Sequence, residues 1–179
     1  MRDIRSTPAA IMLTAWLMAC AIPCDGAAPA MESQTHSGWG TAVGEESQAM
    51  LGKLDAAQLE LQNGRPAAFK ALWSHADDIT LSGGFGGTIE KGWDQISRRL
   101  DWVGAQFSNG TNTIERIVAR ANSDLAYVVQ IEHIRFHAPG QEKELTRDYQ
   151  VTMLFQRESD GWRVIHRQAD SQMMKQAPQ

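Results

Sequence analysis

The sequence has very few cysteines and no concentrated positive charge. Cys20 and Cys24 are its two cysteines, so cleavage after Ala30 would leave a mature chain without thiols. Such a chain excludes disulfides, thiolate catalysis and cysteine-ligated metals. No run of five Lys or Arg occurs and the formal net charge is -4. Binding to nucleic acid or to anionic lipid therefore has no electrostatic support.

The first thirty residues have the pattern of a secretory signal peptide. Arg2 and Arg5 precede an almost uncharged apolar run over residues 8–22, which is too short to span a bilayer. Ala28-Pro29-Ala30 has the small-x-small pattern that precedes a signal-peptidase cut. We therefore expect residues 1–30 to be removed during export and the protein to be secreted or periplasmic.

A lipoprotein signal is the second interpretation of this segment. Leu17 to Cys20 resembles a bacterial lipobox, with Cys20 as the lipidated residue, and lipidation there would be the one route to a membrane. Met18 fits that pattern poorly, so simple secretion is favoured.

The remainder predicts one α+β domain over residues 45–172, after a flexible leader at 31–44 and before a tail at 173–179. Apolar residues at three- and four-residue spacing, with Gly or Pro at the ends, predict helices over Glu45–Gln62, Ala67–Trp73 and Lys91–Phe107. Alternating β-branched and aromatic residues predict strands over Ile79–Ser82, Thr113–Ala121, Leu125–His137, Arg147–Arg157 and Trp162–Asp170.

The last predicted hairpin allows a register to be proposed. If Asp160-Gly161 forms a two-residue turn, residues whose numbers sum to 321 face each other. The apolar face of that pair, which we expect the helices to cover, then carries three polar side chains: His166, Gln168 and Asp170. Polar groups among apolar neighbours need a partner or a purpose.

The residues taken together resemble a known family. The resemblance rests on Asp78-Ile79-Thr80-Leu81, the glycine run at 83–87, Lys91-Gly92-Trp93, Asp124 to Tyr127, Ile131-Glu132 and, most specifically, the ending from Gly161-Trp162-Arg163 to Ala169-Asp170. This pattern is similar to the SnoaL-like, ketosteroid-isomerase-like branch of the nuclear transport factor 2-like superfamily.

The resemblance implies a cone-shaped fold in which three N-terminal helices pack on a strongly curved antiparallel sheet and leave a pocket at the open end. It also implies a homodimer through the outer face of the sheet. Activity does not follow, because the superfamily includes isomerases, cyclases, dehydratases and non-catalytic modules. Isomerase members use a pocket carboxylate as base, with Tyr or protonated Asp as oxyanion donors. Tyr149 and Asp170 are the available analogues here, although no diagnostic isomerase motif surrounds them.

Three titratable residues are the candidates for proton transfer. Asp170 could orient His166 as a proton shuttle only if the strand bends or bulges, because four residues along a strand span about 13 Å. In a regular strand the two side chains could instead contact opposite ends of one ligand. A structural role for both is the alternative. Glu132 could act as base or acid if its side of strand 125–137 faces inward, which the pattern leaves open, and a solvent-facing Glu132 is the alternative.

Aromatic and polar side chains are the candidates for ligand contact: Trp73, Phe85, Trp93, Trp102, Tyr149 and Gln168. Trp93 also belongs to a buried helical stripe, so core packing is its alternative role. His133 and His137 are too far apart on a strand to share a metal, and we expect neither a metal nor another cofactor.

Three hypotheses follow from the sequence. The first is a secreted domain that binds a small, mainly apolar or amphipathic molecule in the cone. The second is an enzyme of isomerase, cyclase or dehydratase type that uses His166, Asp170 or Glu132. The third is a non-catalytic dimeric assembly module. Both small-molecule hypotheses, as drawn from the sequence, require an unfilled interior with His166 and Asp170 facing it.

Overall fold

A computed structural model describes residues 44–171. Helix α1 (Glu45–Leu61) and the short helix α2 (Ala67–Lys70) are followed by the short strands β1 (Thr80–Ser82) and β2 (Glu90–Lys91) and by helix α3 (Trp93–Gly104). Four long strands complete the domain: β3 (Ser108–Ala121), β4 (Leu125–His137), β5 (Glu144–Glu158) and β6 (Gly161–Asp170). The α+β prediction is therefore confirmed, although α2 is one turn long and two strands precede α3.

The strands form one six-stranded sheet in the order β2-β1-β6-β5-β4-β3. Neighbours pair antiparallel except β1 and β6, which are parallel. The sequence predicted loop and the start of a helix at the position of strand β2. A strand of two residues is too short to show an alternating pattern, so the sequence analysis missed it. Within residues 44–171 no helix is long and apolar enough to cross a membrane.

The core lies between the helices and one face of the sheet. Leu54 of α1 and Ile96 of α3 are fully buried, as are Met153 of β5 and Val164 of β6. Helix α1 begins with two glutamates, which the positive end of the helix dipole favours. One of them, Glu46, pairs with Arg157 of β5 at 2.7 Å and ties the start of α1 to the sheet.

Strand β4 presents one fully buried face, which settles the orientation that the sequence left open. Its buried residues are Ala126, Val128, Gln130, Glu132, Ile134 and Phe136. Glu132 therefore points toward the helices.

The predicted register of the last hairpin is wrong in two ways. Glu158 pairs with Gly161, so the turn residues are Ser159 and Asp160 rather than Asp160 and Gly161. Near the turn the residue numbers of each pair sum to 319 instead of 321, and a shift of two residues leaves each side chain on the predicted face. A β-bulge then reverses the faces beyond it, because Phe155 pairs with Val164 whereas Leu154 pairs with His166. Ile165 is the extra residue of the bulge.

Residues beyond the bulge consequently exchange faces. Arg167 lies opposite Met153 and Ala169 opposite Val151, on the face that the helices cover. His166, Gln168 and Asp170 lie on the other face, and Gln168 and Asp170 are exposed. The prediction that these three side chains face the interior is wrong. The two small-molecule hypotheses therefore cannot rest on His166 and Asp170 and need other polar groups in the interior.

Candidate functional site

A small cavity lies between the helices and the covered face of the sheet. Its volume is about 50 Å³, which is enough for a few water molecules at roughly 10–15 Å³ each. Its wall is mainly apolar and comes from the three helices, from β1, from the glycine-rich loop at 83–87 and from strands β4 to β6. The principal apolar contributors are Leu61, Phe69, Leu81, Leu100, Val103, Phe107, Ile134 and Ala169.

Glu132 is the charged centre of the cavity wall and is only 1% exposed. Its Oε1 accepts hydrogen bonds from Gln58 Nε2 at 2.6 Å and Gln130 Nε2 at 2.7 Å. Its Oε2 accepts one from Arg167 Nη2 at 2.9 Å. Three donors, one of them cationic, therefore occupy both oxygens of the carboxylate. These three hydrogen bonds fix the position of the Glu132 carboxylate.

A second ion pair, between Arg116 and Asp55, supports Glu132 indirectly through Gln130. Arg116 donates from Nη1 to Gln130 Oε1 at 2.8 Å and from Nη2 to Asp55 Oδ1 at 2.7 Å. Because its oxygen is taken by Arg116, the amide of Gln130 must turn its nitrogen to Glu132. The network joins α1, β3, β4 and β6.

The glycine-rich loop covers one side of the cavity. Phe85 lines the cavity, and its ring packs edge-on against Trp102 and tilted against Phe107, each with a centroid separation of 5.5 Å. The Arg147 guanidinium stacks on Phe85 at 4.4 Å from the ring centroid. Arg99 Nη2 donates to the Gly86 carbonyl at 2.7 Å. Two arginines therefore hold the loop closed.

The backbone at Gly84 lies so close to Tyr149 that a side chain at this position would clash with the ring. A Cβ at Gly84 would lie 2.2 Å from Tyr149 Cε1, whereas one at Gly83 would lie 3.4 Å from the end of Arg99. We expect Gly84→Ala to cost about 1–3 kcal/mol of unfolding free energy through overpacking, and Gly83→Ala much less. Urea unfolding of both variants measures this.

The Tyr149→Ala background provides the control for that prediction. Removing the ring should abolish the added cost of Gly84→Ala, since the steric conflict is gone. Equal costs of Gly84→Ala in both backgrounds would contradict the assignment of the clash to Tyr149.

The structure brings three of the sequence-predicted site residues to the cavity: Glu132, Phe85 and Tyr149. His166 lies outside it, with its Nδ1 2.7 Å from Thr80 Oγ1, and Gln168 and Asp170 are on the same outer side. The cause is the bulge at Ile165.

The three tryptophans proposed as lining residues do not line the cavity. Trp73 is buried in the core beside Val164. Trp93 stacks on His75 with ring centroids 4.1 Å apart, at the surface near α2. Trp102 is 45% exposed, packs edge-on against Phe85, and carries the Arg99 guanidinium over its ring at 4.6 Å from the centroid. Trp73 and Trp93 pack elsewhere in the fold, and Trp102 reaches the cavity only through its contact with Phe85.

Sequence reasoning missed Arg167, Gln58 and Gln62 as site residues. Arg167 points inward only because of the bulge. Gln58 gave a signal, since it occupies a position within the leucine stripe of α1, and a polar residue there requires a buried partner. Gln62, the C-cap residue directly after the same helix, lies one turn later and is also buried.

His166 is partly buried, so its protonation is expected to affect the stability of the fold. Burial lowers the pKa of His166 below its ordinary value of 6.5. Just below that pH the unfolded chain binds more protons than the folded chain, so stability rises with pH there. We expect wild type to lose stability as the pH falls from about 7 to about 5, and His166→Gln to lose less.

Urea unfolding at successive pH values tests this expectation. His133→Gln is the matched control, because His133 is exposed and pairs with Asp148 at the surface. A His166→Gln profile parallel to that of wild type would contradict the assignment.

Residues 44–171 contain no group of three or more His, Cys, Asp or Glu side chains placed to hold a metal ion. The polar part of the cavity consists of one carboxylate, one guanidinium, two primary amides and a phenol: Glu132, Arg167, Gln58, Gln62 and Tyr149. This set suits hydrogen bonding to a small organic molecule.

Residues 54–174 match the SnoaL-like domain family, and the chain belongs to that family. The SnoaL-like resemblance of the sequence motifs is therefore confirmed, and the chain has the fold of nuclear transport factor 2-like superfamily proteins. No curated protein matches the chain.

Solved structures share its fold at low sequence identity. A Streptomyces avermitilis protein named as a candidate dehydratase of this superfamily is 16% identical, with a TM-score of 0.62 over 73% of this chain and 96% of that one. A superfamily member from Salmonella enterica serovar Typhimurium is 16% identical, with a TM-score of 0.62 over 72% and 92%. A ketosteroid isomerase-like protein from Erwinia carotovora atroseptica is 16% identical, with a TM-score of 0.60 over 73% and 99%. These likenesses concern the fold alone.

Proposed function

We propose that this domain binds a small, mainly apolar molecule in the cavity beneath the loop at 83–87 and holds the molecule's polar end at the wall formed by Gln58, Glu132 and Arg167. One observation carries the proposal. Buried polar atoms of cavity-lining residues, Gln58 Oε1, Gln62 Oε1 and Arg167 Nε, have no hydrogen-bond partner among the described residues. Such atoms are costly unless water or a ligand meets them.

The size of the cavity indicates how a ligand would enter. A volume of about 50 Å³ accepts only a few non-hydrogen atoms, so a larger ligand requires the loop that carries Phe85 to move. The loop contains four glycines, and two of them, Gly86 and Gly87, have positive φ angles. It is attached to α3 and β5 mainly through Arg99 and Arg147.

We favour binding over proton transfer for two reasons. His166 and Asp170, the residues proposed for acid–base work, lie on the opposite face of the sheet. Both oxygens of Glu132 already accept hydrogen bonds, which leaves the carboxylate poorly available as a base. The structural relatives whose names mention a dehydratase or a ketosteroid isomerase keep catalysis as the second candidate.

Thermal unfolding with a panel of small amphipathic compounds tests the proposal. At about 100 times its Kd a ligand should raise Tm by roughly 5–10 °C. Ala169→Leu, which places a larger side chain in the cavity wall, should abolish the shift. Gln168→Leu is the matched control, because the adjacent residue is exposed on the other face. Equal shifts in both variants would contradict binding in this cavity.

We also propose that the protein is a homodimer through the outer face of the sheet. Val129, Ile131 and Leu154 are half-buried there, and Ile117 is 53% exposed. Mass measurement by light scattering tests this: wild type should give twice the chain mass, and Ile131→Asp should give a monomer. Ile89→Asp, at an exposed position in the loop before β2, should remain dimeric.

Export to the periplasm or beyond stays a prediction, because residues 1–30 lie outside the described residues. Amino-terminal analysis of the protein recovered from the producing cell would locate the cleavage site. Cleavage after Ala30 is the expected result, and a chain that begins with lipidated Cys20 would favour the lipoprotein interpretation.

A further inference from the structure

Arg147 lies at the edge of the cavity. It precedes Tyr149 by two residues, so both side chains lie on the covered face of β5. Arg147 pairs with Ile134 of β4, and its guanidinium carbon is 4.4 Å from the centroid of the Phe85 ring. These three neighbours all line the cavity, whereas Arg147 does not line it and is half-buried. The guanidinium therefore borders the cavity wall and keeps contact with solvent.

The charge of Arg147 is not balanced within the described part of the chain. Arg167, on the cavity wall, pairs with Glu132 at 2.9 Å, so those two charges cancel. Arg147 forms no ion pair in residues 44–171, and its one side-chain hydrogen bond there, from Nη1 to Tyr149 Oη, is long at 3.4 Å. The cavity edge therefore presents a positive charge without a counter-charge.

The contact with Phe85 leaves the hydrogen-bonding edge of Arg147 available. An aromatic ring stacks on the flat face of a guanidinium, whereas the N–H donors lie in its plane. Two of those donors can bind the two oxygens of one carboxylate in parallel. The other arginine at the loop, Arg99, is already engaged, because it donates to Gly86 at 2.7 Å and lies 3.7 Å from Glu90. Arg147 rather than Arg99 is thus placed to bind an anion.

We infer that the ligand carries one carboxylate group, which Arg147 binds at the cavity edge while the apolar part of the molecule lies beneath the loop at 83–87. A single guanidinium balances a single negative charge, and its fork of donors matches a carboxylate. An ammonium group would instead meet a like charge and is disfavoured. The inference rests on the proposed function and specifies a second, anionic end for its ligand.

The sheet sets the spacing of the two ends of such a ligand. Glu132, at the inner wall, lies opposite Tyr149, and Arg147 is the next inward-facing residue of β5, about 7 Å further along the strand. The ion pair of the inner wall has no net charge, so the wall suits a neutral polar end and Arg147 suits the anionic end. A chain of about six carbons spans this separation.

Three compounds with the same chain test the inference: 6-hydroxyhexanoate, 1,6-hexanediol and 6-amino-1-hexanol. One end of each is a hydroxyl group, and at about pH 7 the other end is a carboxylate, a hydroxyl or an ammonium group. Titration followed by NMR gives Kd from the methyl signals of Leu61 and Val103, with exposed Leu59 as the reference. We expect the carboxylate to bind about tenfold more tightly than the diol, through one partly exposed charged pair. The ammonium compound should bind more weakly than the diol.

Substitution of Arg147 assigns the preference to its guanidinium. Arg147→Met keeps an unbranched side chain against Phe85 but removes the charge, and should reduce the preference for the carboxylate from about tenfold to about twofold or less. Arg147→Lys keeps the charge and should retain a preference of about threefold or more. Arg135→Met is the matched control, because Arg135 is exposed on the other face of the neighbouring strand, and it should keep the full preference.

Three results would overturn the inference and leave the proposed function standing. The first is saturable binding of the diol or the amino alcohol as tight as that of the carboxylate. The second is an Arg147→Met variant with the full preference, and the third is an equal loss of preference in Arg147→Met and Arg135→Met. Saturable shifts of Leu61 and Val103 with none of the three compounds would overturn both the inference and the proposed function.

Discussion

Glu132→Ala is expected to lower the unfolding free energy by about 3–5 kcal/mol, a large share of the stability of an ordinary domain. The substitution removes the acceptor of three buried donors. Arg167, with only 12% of its side chain exposed, would then keep its positive charge without a partner. The amide nitrogens of Gln58 and Gln130 would lose their acceptor as well. Urea unfolding followed by circular dichroism measures the loss.

A paired substitution separates the cost of a broken ion pair from the loss of side-chain volume. Replacing both charges by apolar groups of similar size, Glu132→Leu with Arg167→Met, should be less destabilising than Glu132→Ala alone. If Glu132→Ala costs under about 1 kcal/mol, the carboxylate is not the buried, triply bonded group described here.

Adjacent residues of β6 should respond very differently to substitution. Arg167→Met leaves Glu132 buried without its counter-charge, and should cost about 3–5 kcal/mol. His166→Ala removes a half-buried ring bonded to Thr80 on the outer side, and should cost about 1 kcal/mol. The register proposed from the sequence would give the reverse order, because it places His166 inside and Arg167 outside.

Ligand binding provides a second readout for the same pair. Arg167→Met should weaken binding of any compound that stabilises the wild type, whereas His166→Ala should leave Kd unchanged. The opposite result would mean that the bulge at Ile165 is absent and that the cavity is built from the other face of β6.

The long helices and strands were predictable because their patterns are local. The leucine spacing of α1, the apolar stripe of α3 and the alternation of β4 each appear within one element. The bulge at Ile165 was not predictable, because distant segments impose it. The backbone N–H of Val164 donates to the Leu72 carbonyl, and the Val164 carbonyl accepts from the Ser74 N–H. Two residues later, His166 pairs with the parallel strand β1 instead. No pattern within β6 records that change of partner.

The polar site was partly predictable for the same reason. Glu132 was recognised as a candidate from its own strand, but its partners come from α1, β3 and β6. Arg167 in particular is one residue away from the predicted His166. Since successive residues on a strand point to opposite faces, a one-residue difference exchanges an interior group for an exterior one.

A crystal structure with the panel compound that gives the largest thermal shift tests the central claim most directly. The account predicts density for the compound between Leu61, Phe107 and Tyr149, with a polar atom within about 3.2 Å of Gln58 Oε1 or Arg167 Nε. Density only on the outer face near His166, or a cavity that holds water alone at saturating ligand, would contradict it.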